Sequence, residues 1–295
     1  MRLRSSQFIL LFILIFTLIQ SSCNNKLNHE NMNRDQNIIF LHHSTGEAIW
    51  NGNSRNLNFL FGKIQKKFNR RTNRQAKMLR LFRNYNSKNG TGYSIKELVF
   101  PKTEPYGWNN YPYDYYNIWV KNGGDKHFMD EPTLEILTKK YQVIIFKHCF
   151  PVGLIEPDQD TSNIDSDYKS LANYKLQYLA LRDKLNQFDS CKFILWTGAA
   201  LVKNQTNEEQ AKRTKEFFDW VKKEWDRPGD NIYLWDFYDL ETEGNLYMKE
   251  EYAVSADDSH PNNDFSDRSA DLLFDRIIDV IENNGSKTWL TGQKK

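Results

Sequence analysis

Residues 38–46 carry the sequence IIFLHHSTG, in which four apolar residues are followed by two histidines and then by Ser44, Thr45 and Gly46. A short, continuous apolar run is typical of a strand that is buried on both faces of a sheet. Apolar residues then recur at helical spacing over residues 57–68. Ser44 is therefore predicted to lie where a buried strand meets a helix, as an ordinary helix cap or as a candidate nucleophile.

The same alternation of apolar runs and helical patterns continues along the chain. Further strands are predicted at residues 142–146, 192–198 and 231–236, with one more at 77–83. Helices are predicted at residues 133–140, 166–188, 207–225 and 266–282. Together these elements predict one α/β domain over residues 37–285, with a mainly parallel sheet of about five strands covered on both faces. Residues 286–295 form a C-terminal tail.

Several polar residues follow the predicted strands directly. Ser44 follows the first strand, residues 147–149 follow the second, and Asp257 and His260 lie between the last strand and the last helix. In parallel sheets ligands collect outside the carboxyl ends of the strands. We therefore expect these residues to share one rim of the sheet.

A serine, a histidine and an aspartate on one rim supply the parts of a nucleophilic site. A serine hydroxyl needs a base within hydrogen-bond reach, and His260 is the candidate. Asp257 stands three residues before His260 and is predicted to hold its ring, whereas Asp258 is expected to point elsewhere. The backbone N–H of Ser44, at a helix start, is predicted to face a developing oxyanion.

Ser44 in an early strand-to-helix turn, together with Asp257-x-x-His260-Pro261 near the C-terminus, resembles the SGNH/GDSL hydrolase superfamily. The resemblance spans nearly the whole chain after residue 36. It implies a flavodoxin-like α/β/α sandwich and ester cleavage with Ser44 as nucleophile, His260 as base and Asp257 as its partner. It implies no metal and no cofactor. The chain contains no G-x-S-x-G motif, which argues against an α/β-hydrolase.

The chain departs from the pattern of that superfamily in two blocks. Two histidines stand where Gly-Asp usually precedes the serine. Residues 147–150, with the sequence KHCF, stand where the superfamily usually has Gly-x-Asn-Asp, whose asparagine donates to the oxyanion. Lys147 and His148 are the candidate replacements for that donor, since a cation near the oxyanion stabilises it.

An aromatic tract over residues 106–119 contains seven aromatic residues in fourteen. Rings with polar tips suit a surface on which sugars stack, but they also suit an insertion that packs over the sheet. Within this tract, Gly107 and Asn110 are candidate substrate-contacting residues. The tract favours a carbohydrate among the possible ester substrates.

The N-terminus has the pattern of a secretory signal peptide over residues 1–22. Two arginines precede a mostly apolar run at residues 8–19, which is shorter than the roughly 20 residues that span a bilayer. Small residues before Cys23 resemble a bacterial lipobox, although Gln20 departs from it. The prediction is an exported protein of the cell envelope, facing the periplasm or the surface, anchored in the membrane by a lipid on Cys23 and a polar tether over residues 23–36. The alternative is an ordinary cleaved signal.

The net charge and the cysteines bear on the possible partners, disulfides and metal sites of the protein. The formal net charge of +2 gives no reason to expect nucleic acid as a partner. Cys149 and Cys191 adjoin apolar runs, so buried thiols are expected, although an exported protein could pair them. The sequence contains no C-x-x-C metal motif.

These observations predict an exported serine esterase that hydrolyses an ester, with an O-acyl group on a carbohydrate as the leading substrate. One alternative is a non-catalytic glycan-binding lipoprotein on the same fold. The other is a metal-dependent hydrolase that uses His42, His43, Asp257 and His260. Substitution of Ser44 separates the serine esterase from both alternatives, because only the serine esterase requires its hydroxyl. A chelator is expected to abolish only the activity of the metal-dependent hydrolase.

Overall fold

The central sheet consists of five strands in the order β2-β1-β3-β4-β5. It is seen in a computed structural model, which describes residues 35–53 and 75–295. The strands are β1 (Asn37–His42), β2 (Ser94–Val99), β3 (Val143–Lys147), β4 (Lys192–Trp196) and β5 (Ile232–Trp235). Every neighbouring pair in this sheet runs parallel. The prediction of an α/β fold with a parallel sheet of about five strands is therefore confirmed.

Helices cover both faces of this sheet and make three layers. All residues of β3 are buried, and successive side chains of a strand point to opposite faces, so neither face is open to water. Helices α1, α2 and α8 contact one another, as do α5 and α6. The helices are α1 (Ser44–Asn51), α2 (Lys77–Asn89), α3 (Pro112–Tyr115), α4 (Leu134–Leu137), α5 (Leu171–Leu185), α6 (Glu208–Trp220), α7 (Phe237–Thr242) and α8 (Asn263–Asn283). Two π-helical turns, Tyr116–Lys121 and Val221–Trp225, extend α3 and α6.

Aromatic side chains fill the core between these layers. Phe40 of β1 stacks on Trp196 of β4, with ring centroids 5.6 Å apart, and both side chains are completely buried. Truncating a buried aromatic residue costs about 3–5 kcal/mol of stability. This packing therefore holds β1 firmly in place, and with it the start of the segment that carries Ser44.

One strand prediction was wrong, and the edge strand β2 was not predicted. Residues 77–83, predicted as a strand, lie in α2, where Met78 and Phe82 are four residues apart and face the core. Strand β2 was missed because Lys96 and Glu97 interrupt its apolar pattern. An edge strand with exposed positions tolerates such residues, since only part of its surface meets the core.

The predicted helices that fall within the described residues all exist, with shifted ends. Three of them begin at side-chain caps: Ser170 accepts a hydrogen bond from the Asn173 amide, Asn207 accepts from Gln210, and Asn262 accepts from Phe265. These caps fix the starts of α5, α6 and α8. The predicted helix at 133–140 is only one turn long as α4.

The segment between β5 and α8 contains two short strands that were predicted as a loop. They are β6 (Ala253–Ser255) and β7 (Asp258–Pro261), and they pair with each other antiparallel. The residues after α8 pack back on the body: the Asp236 amide donates to Leu290 O, and the Thr288 amide donates to Asp279. Cys149 and Cys191 are free and buried, as expected.

Several predictions lie outside the described residues: the signal peptide, the lipidated Cys23, nearly all of the tether over residues 23–36, and the helical pattern at 57–68. Within the ranges that the structure describes, no helix combines the length and the apolar character needed to cross a bilayer.

Candidate active site

Ser44, His260 and Asp258 form a continuous hydrogen-bonded chain at the carboxyl edge of the sheet. Ser44 is the first residue of α1, directly after β1 and the N-cap residue His43. The Ser44 Oγ lies 2.8 Å from His260 Nε2, and His260 Nδ1 lies 2.6 Å from Asp258 Oδ1. With the Nδ1 proton donated to the carboxylate, Nε2 is free to accept the serine proton. This arrangement is that of a nucleophile, a base and a carboxylate that orients the base.

The carboxylate is Asp258, so the prediction of Asp257 was wrong. Residues 258–261 form strand β7, in which residues two apart point to the same side. Asp258 and His260 therefore share one side, while Ser259 between them is completely buried. The side chain of Asp257 instead accepts a hydrogen bond of 3.0 Å from Asn204.

His42 packs against the turn that carries Ser44. Its buried ring has Nδ1 2.9 Å from His43 O and Nε2 3.0 Å from the Glu97 carboxylate. The ring packs so closely on the first turn of α1 that a Cβ at Gly46 would lie 2.3 Å from the Cβ of His42. Glycine is therefore required at position 46, and the ring of His42 fixes where α1 begins relative to β1.

His43 has a structural contact of its own. Its Nε2 donates to Pro101 O, which ties the start of α1 to the loop after β2. Burial lowers the pKa of His43, and the nearby charges of Lys147 and His42 lower it further, against the opposing effect of the hydrogen bond to Pro101. A largely buried, neutral imidazole with this hydrogen bond gives His43 a structural role beside Ser44.

The first turn of α1 presents backbone amides near the nucleophile. The N-cap residue His43 makes no side-chain hydrogen bond to that turn. Amides in the first turn of a helix have no acceptor within the helix, and the positive end of the helix dipole lies there. The Ser44 amide therefore has the position that an oxyanion donor requires.

The structure does not bring the side chains of Lys147 and His148 to Ser44. Both residues are completely buried. The Lys147 ammonium lies 3.7 Å from the Cys149 sulfur and 5.4 Å from the centre of the Trp196 ring. The predicted role of Lys147 as a direct oxyanion donor is therefore wrong, because its side chain is completely buried and ends against these two residues.

His148 is enclosed by aromatic rings. Its ring meets Tyr115 edge-on at 4.7 Å between centroids and Tyr178 at 5.6 Å. Burial lowers the pKa of His148 to about 3, with Lys147 adding to the effect. Neither ring nitrogen has a hydrogen-bond partner among the described residues. The predicted oxyanion role of His148 is wrong, since a side chain turned into the core cannot reach the hydroxyl of Ser44.

The residue of the 147–150 segment that does reach the site is Phe150. Its ring meets the His260 ring edge-on, with centroids 4.9 Å apart. Sequence reasoning missed Phe150, because an aromatic residue after a strand carries no signal that distinguishes the core from a site. Phe150 gives one side of the imidazole an apolar wall.

Asn110 and Gly107, the candidate substrate contacts, have different roles. Asn110 is buried, its Nδ2 donates to Phe100 O, and its own carbonyl accepts from the Cys149 amide. It thus joins the loop after β2 to the loop after β3. Gly107 is exposed with a φ of 73°, and a Cβ there would meet nothing within 4 Å. Neither residue makes a hydrogen bond to Ser44, His260 or Asp258.

The aromatic tract packs over the end of the sheet. Five of its seven rings are buried, and Tyr115 and Trp119 pack against Phe100 and Phe146. The buried members are Trp108, Tyr111, Tyr115, Tyr116 and Trp119. The interpretation as a packing insertion is confirmed for these rings, so they do not offer a stacking surface for a sugar.

The residues of the hypothetical metal site hold separate partners. His42 contacts Glu97, His43 contacts Pro101, and His260 contacts Ser44 and Asp258. In the described parts of the chain, no three histidine, cysteine or carboxylate side chains come together in a way that could hold a metal ion.

Comparisons with protein-family models, curated proteins and solved structures found no match to this chain.

Proposed function

We propose that this protein is an exported serine esterase of the SGNH/GDSL type, which transfers an acyl group from an ester to Ser44 and then to water. The observation that carries the proposal is the chain of hydrogen bonds from Ser44 through His260 to Asp258, at 2.8 and 2.6 Å. Distances in this range allow proton transfer without rearrangement of the side chains.

The proposed reaction begins with attack of Ser44 Oγ on the ester carbonyl carbon, while the hydroxyl proton passes to His260 Nε2. The Asp258 carboxylate stabilises the imidazolium that forms. The Ser44 amide faces the negative oxygen of the tetrahedral intermediate, and the buried charge of Lys147 adds a favourable field. Collapse breaks the ester C–O bond, and His260 returns its proton to the leaving alcohol.

The second half of the reaction regenerates the enzyme. Water attacks the acyl group on Ser44 and gives its proton to His260 Nε2. The tetrahedral intermediate then releases the carboxylic acid, and the proton returns to Ser44 Oγ. Water is the co-substrate, and the side chains of Ser44, His260 and Asp258 return to their starting states.

The leaving group proposed for this ester is a carbohydrate hydroxyl, and the acyl group is short. His260 and Asp258 are 30% and 43% exposed in their side chains, so an alcohol leaving beside them stays hydrated, as a sugar does. On the other side of the imidazole the Phe150 ring restricts the space. A small acyl group such as acetyl fits an apolar wall that close to the base.

Acetate release from an O-acetylated glycan, with and without Ser44→Ala, tests the proposal. We expect the wild-type protein to release acetate and the Ser44→Ala variant to release none above background. The contrary result is a wild-type protein that binds the glycan but releases no acetate, with binding that survives the substitution. That result would favour the glycan-binding lipoprotein.

A further inference from the structure

Gln205 hydrogen-bonds the chain on both sides of Asp258. This residue ends a 3₁₀ turn, Lys203–Gln205, in the loop after β4. Its Nε2 donates to Asp257 O at 2.7 Å, and its Oε1 accepts from the Ser259 amide at 3.0 Å. One carboxamide thus fixes the peptide group before Asp258 and the peptide group after it.

The hydroxyl of Ser259 adds a second link to the same loop. It donates to Gln205 Oε1 and accepts from the Val202 amide at 2.9 Å. Ser259 and Val202 are completely buried, so water does not replace these bonds. The hydroxyl is therefore satisfied as donor and acceptor, and it anchors β7 on the loop after β4.

The bonds of Gln205 and Ser259 affect the position of Asp258, whose side chain lies on the outer side of strand β7. Its side chain is 43% exposed, and its Oδ1 lies 2.6 Å from His260 Nδ1 and accepts a hydrogen bond of 3.0 Å from the His260 amide. An exposed carboxylate gains little from a single ion pair, since water competes for it. The backbone that carries this carboxylate is fixed on both sides by Gln205.

We propose that Gln205 is a positioning residue of the active site, which holds Asp258 at hydrogen-bond distance from His260 Nδ1 through its bonds to Asp257 and Ser259. The proposal rests on the proposed esterase function for its effect on catalysis. Gln205 touches none of the reacting atoms, and small displacements of catalytic groups are costly to rate.

The test compares Gln205→Met with Asn204→Ala. The Met variant keeps nearly the same side-chain volume and loses all the hydrogen bonds of the carboxamide. Asn204 is the neighbouring residue and bonds only the side chain of Asp257, so its variant is the matched control. We expect Gln205→Met to lower kcat for p-nitrophenyl acetate by about 10- to 100-fold with KM unchanged, and Asn204→Ala to leave both unchanged.

A double-mutant cycle separates positioning from a general structural effect. If Gln205 acts through Asp258, Gln205→Met causes no further loss of kcat when Asp258 is already replaced by alanine. An equal additional loss in the Asp258→Ala background would overturn the proposal. Gln205→Asn, whose shorter side chain cannot bond both Asp257 and Ser259, replaces the Met variant if that variant does not fold.

A spectroscopic measurement keeps this inference distinct from the proposed function. The proton shared by His260 Nδ1 and Asp258 gives a strongly downfield proton resonance, which can be recorded without any substrate. We expect the resonance in the wild-type protein and in Asn204→Ala, and its loss in Gln205→Met. If Gln205→Met retains the resonance, Gln205 does not position Asp258. If the resonance behaves as expected but no ester is cleaved, the esterase proposal fails and the positioning role stands.

Discussion

Asp258 and His260 lie two residues apart on one side of strand β7, with Asp258 Oδ1 2.6 Å from His260 Nδ1. Asp257, the immediate neighbour, contacts Asn204 through its side chain. The register of one short strand therefore decides which of two adjacent carboxylates serves the base. Adjacent residues of identical chemistry also provide a matched pair of substitutions.

Asp258→Asn is expected to lower kcat by about 10²- to 10⁴-fold, because an amide neither stabilises the imidazolium nor selects the same tautomer of His260. Asp257→Asn is the control and leaves kcat unchanged. Steady-state kinetics on p-nitrophenyl acetate measure both variants. A large loss in Asp257→Asn with full activity in Asp258→Asn would contradict the assignment.

The sequence predicted that Ser44 and His260 belong to one site, but it did not predict which carboxylate hydrogen-bonds to His260. The buried strands β1, β3, β4 and β5 are continuous apolar runs, and their order along the chain placed Ser44 and His260 on one rim. The pairing of Asp258 depends on whether residues 258–261 form a strand or a turn. Four residues of sequence DSHP do not distinguish these conformations, because β7 forms only by pairing with β6.

The prediction that Lys147 or His148 donates to the oxyanion was wrong for a related reason. The packing around the end of a strand decides whether the polar residues there face the rim of the sheet or the core. Lys147 and His148 turn inward, where Trp196, Tyr115 and Tyr178 surround them. Strand β2 was not predicted, because a half-exposed edge strand lacks the continuous apolar run that identifies a central strand.

Gly46→Ala is expected to destabilise the protein by about 1–3 kcal/mol, the usual cost of overpacking. It is also expected to lower kcat sharply. The added methyl would lie 2.3 Å from the Cβ of His42, so the first turn of α1 must move, and Ser44 moves with it. Urea unfolding and kcat are the two measurements.

Ala48→Gly in the same helix provides the comparison for Gly46→Ala. Ala48 is buried, and its replacement by glycine lowers stability by about 1 kcal/mol or more without pushing on His42. We expect that variant to keep its kcat. If Gly46→Ala is as stable and as active as the wild type, the proposed packing of His42 on the nucleophile turn is wrong.

The buried Asp114 is expected to make stability depend on pH. Burial raises the pKa of Asp114 to about 7, although the amides of Asn109 and Asn110 donate to it and oppose the rise. Between the unfolded pKa of about 4 and the folded value, the folded state binds the extra proton, so stability falls as pH rises through this range. The full effect is on the order of 4 kcal/mol.

Asp114→Asn isolates this contribution. Relative to the wild type, the variant is expected to gain stability as pH rises from 4.5 to 7.5, because it has no carboxyl to deprotonate. Urea unfolding at several pH values measures the difference. Asp125→Asn, at an exposed carboxyl whose pKa Lys139 lowers, is the control and should not show this gain. A constant difference between wild type and Asp114→Asn would contradict the prediction.

Phe150→Ala is expected to broaden the range of acyl groups. The Phe150 ring lies edge-on to His260 at 4.9 Å and occupies space beside the base. Removing it should raise the ratio of kcat/KM for p-nitrophenyl butyrate over acetate by about 10-fold or more, the usual effect of space for added methylene groups. An unchanged ratio would show that the acyl chain lies elsewhere.

The central claim is that Ser44 is a nucleophile activated by His260. Labelling of the folded protein with a fluorophosphonate probe, followed by mass spectrometry of the labelled peptide, tests this most directly. We expect one phosphonyl group on Ser44, and no labelling of Ser44→Ala or after denaturation. A wild-type protein that stays unlabelled where active serine esterases react, or that carries the label on another residue, would contradict the account.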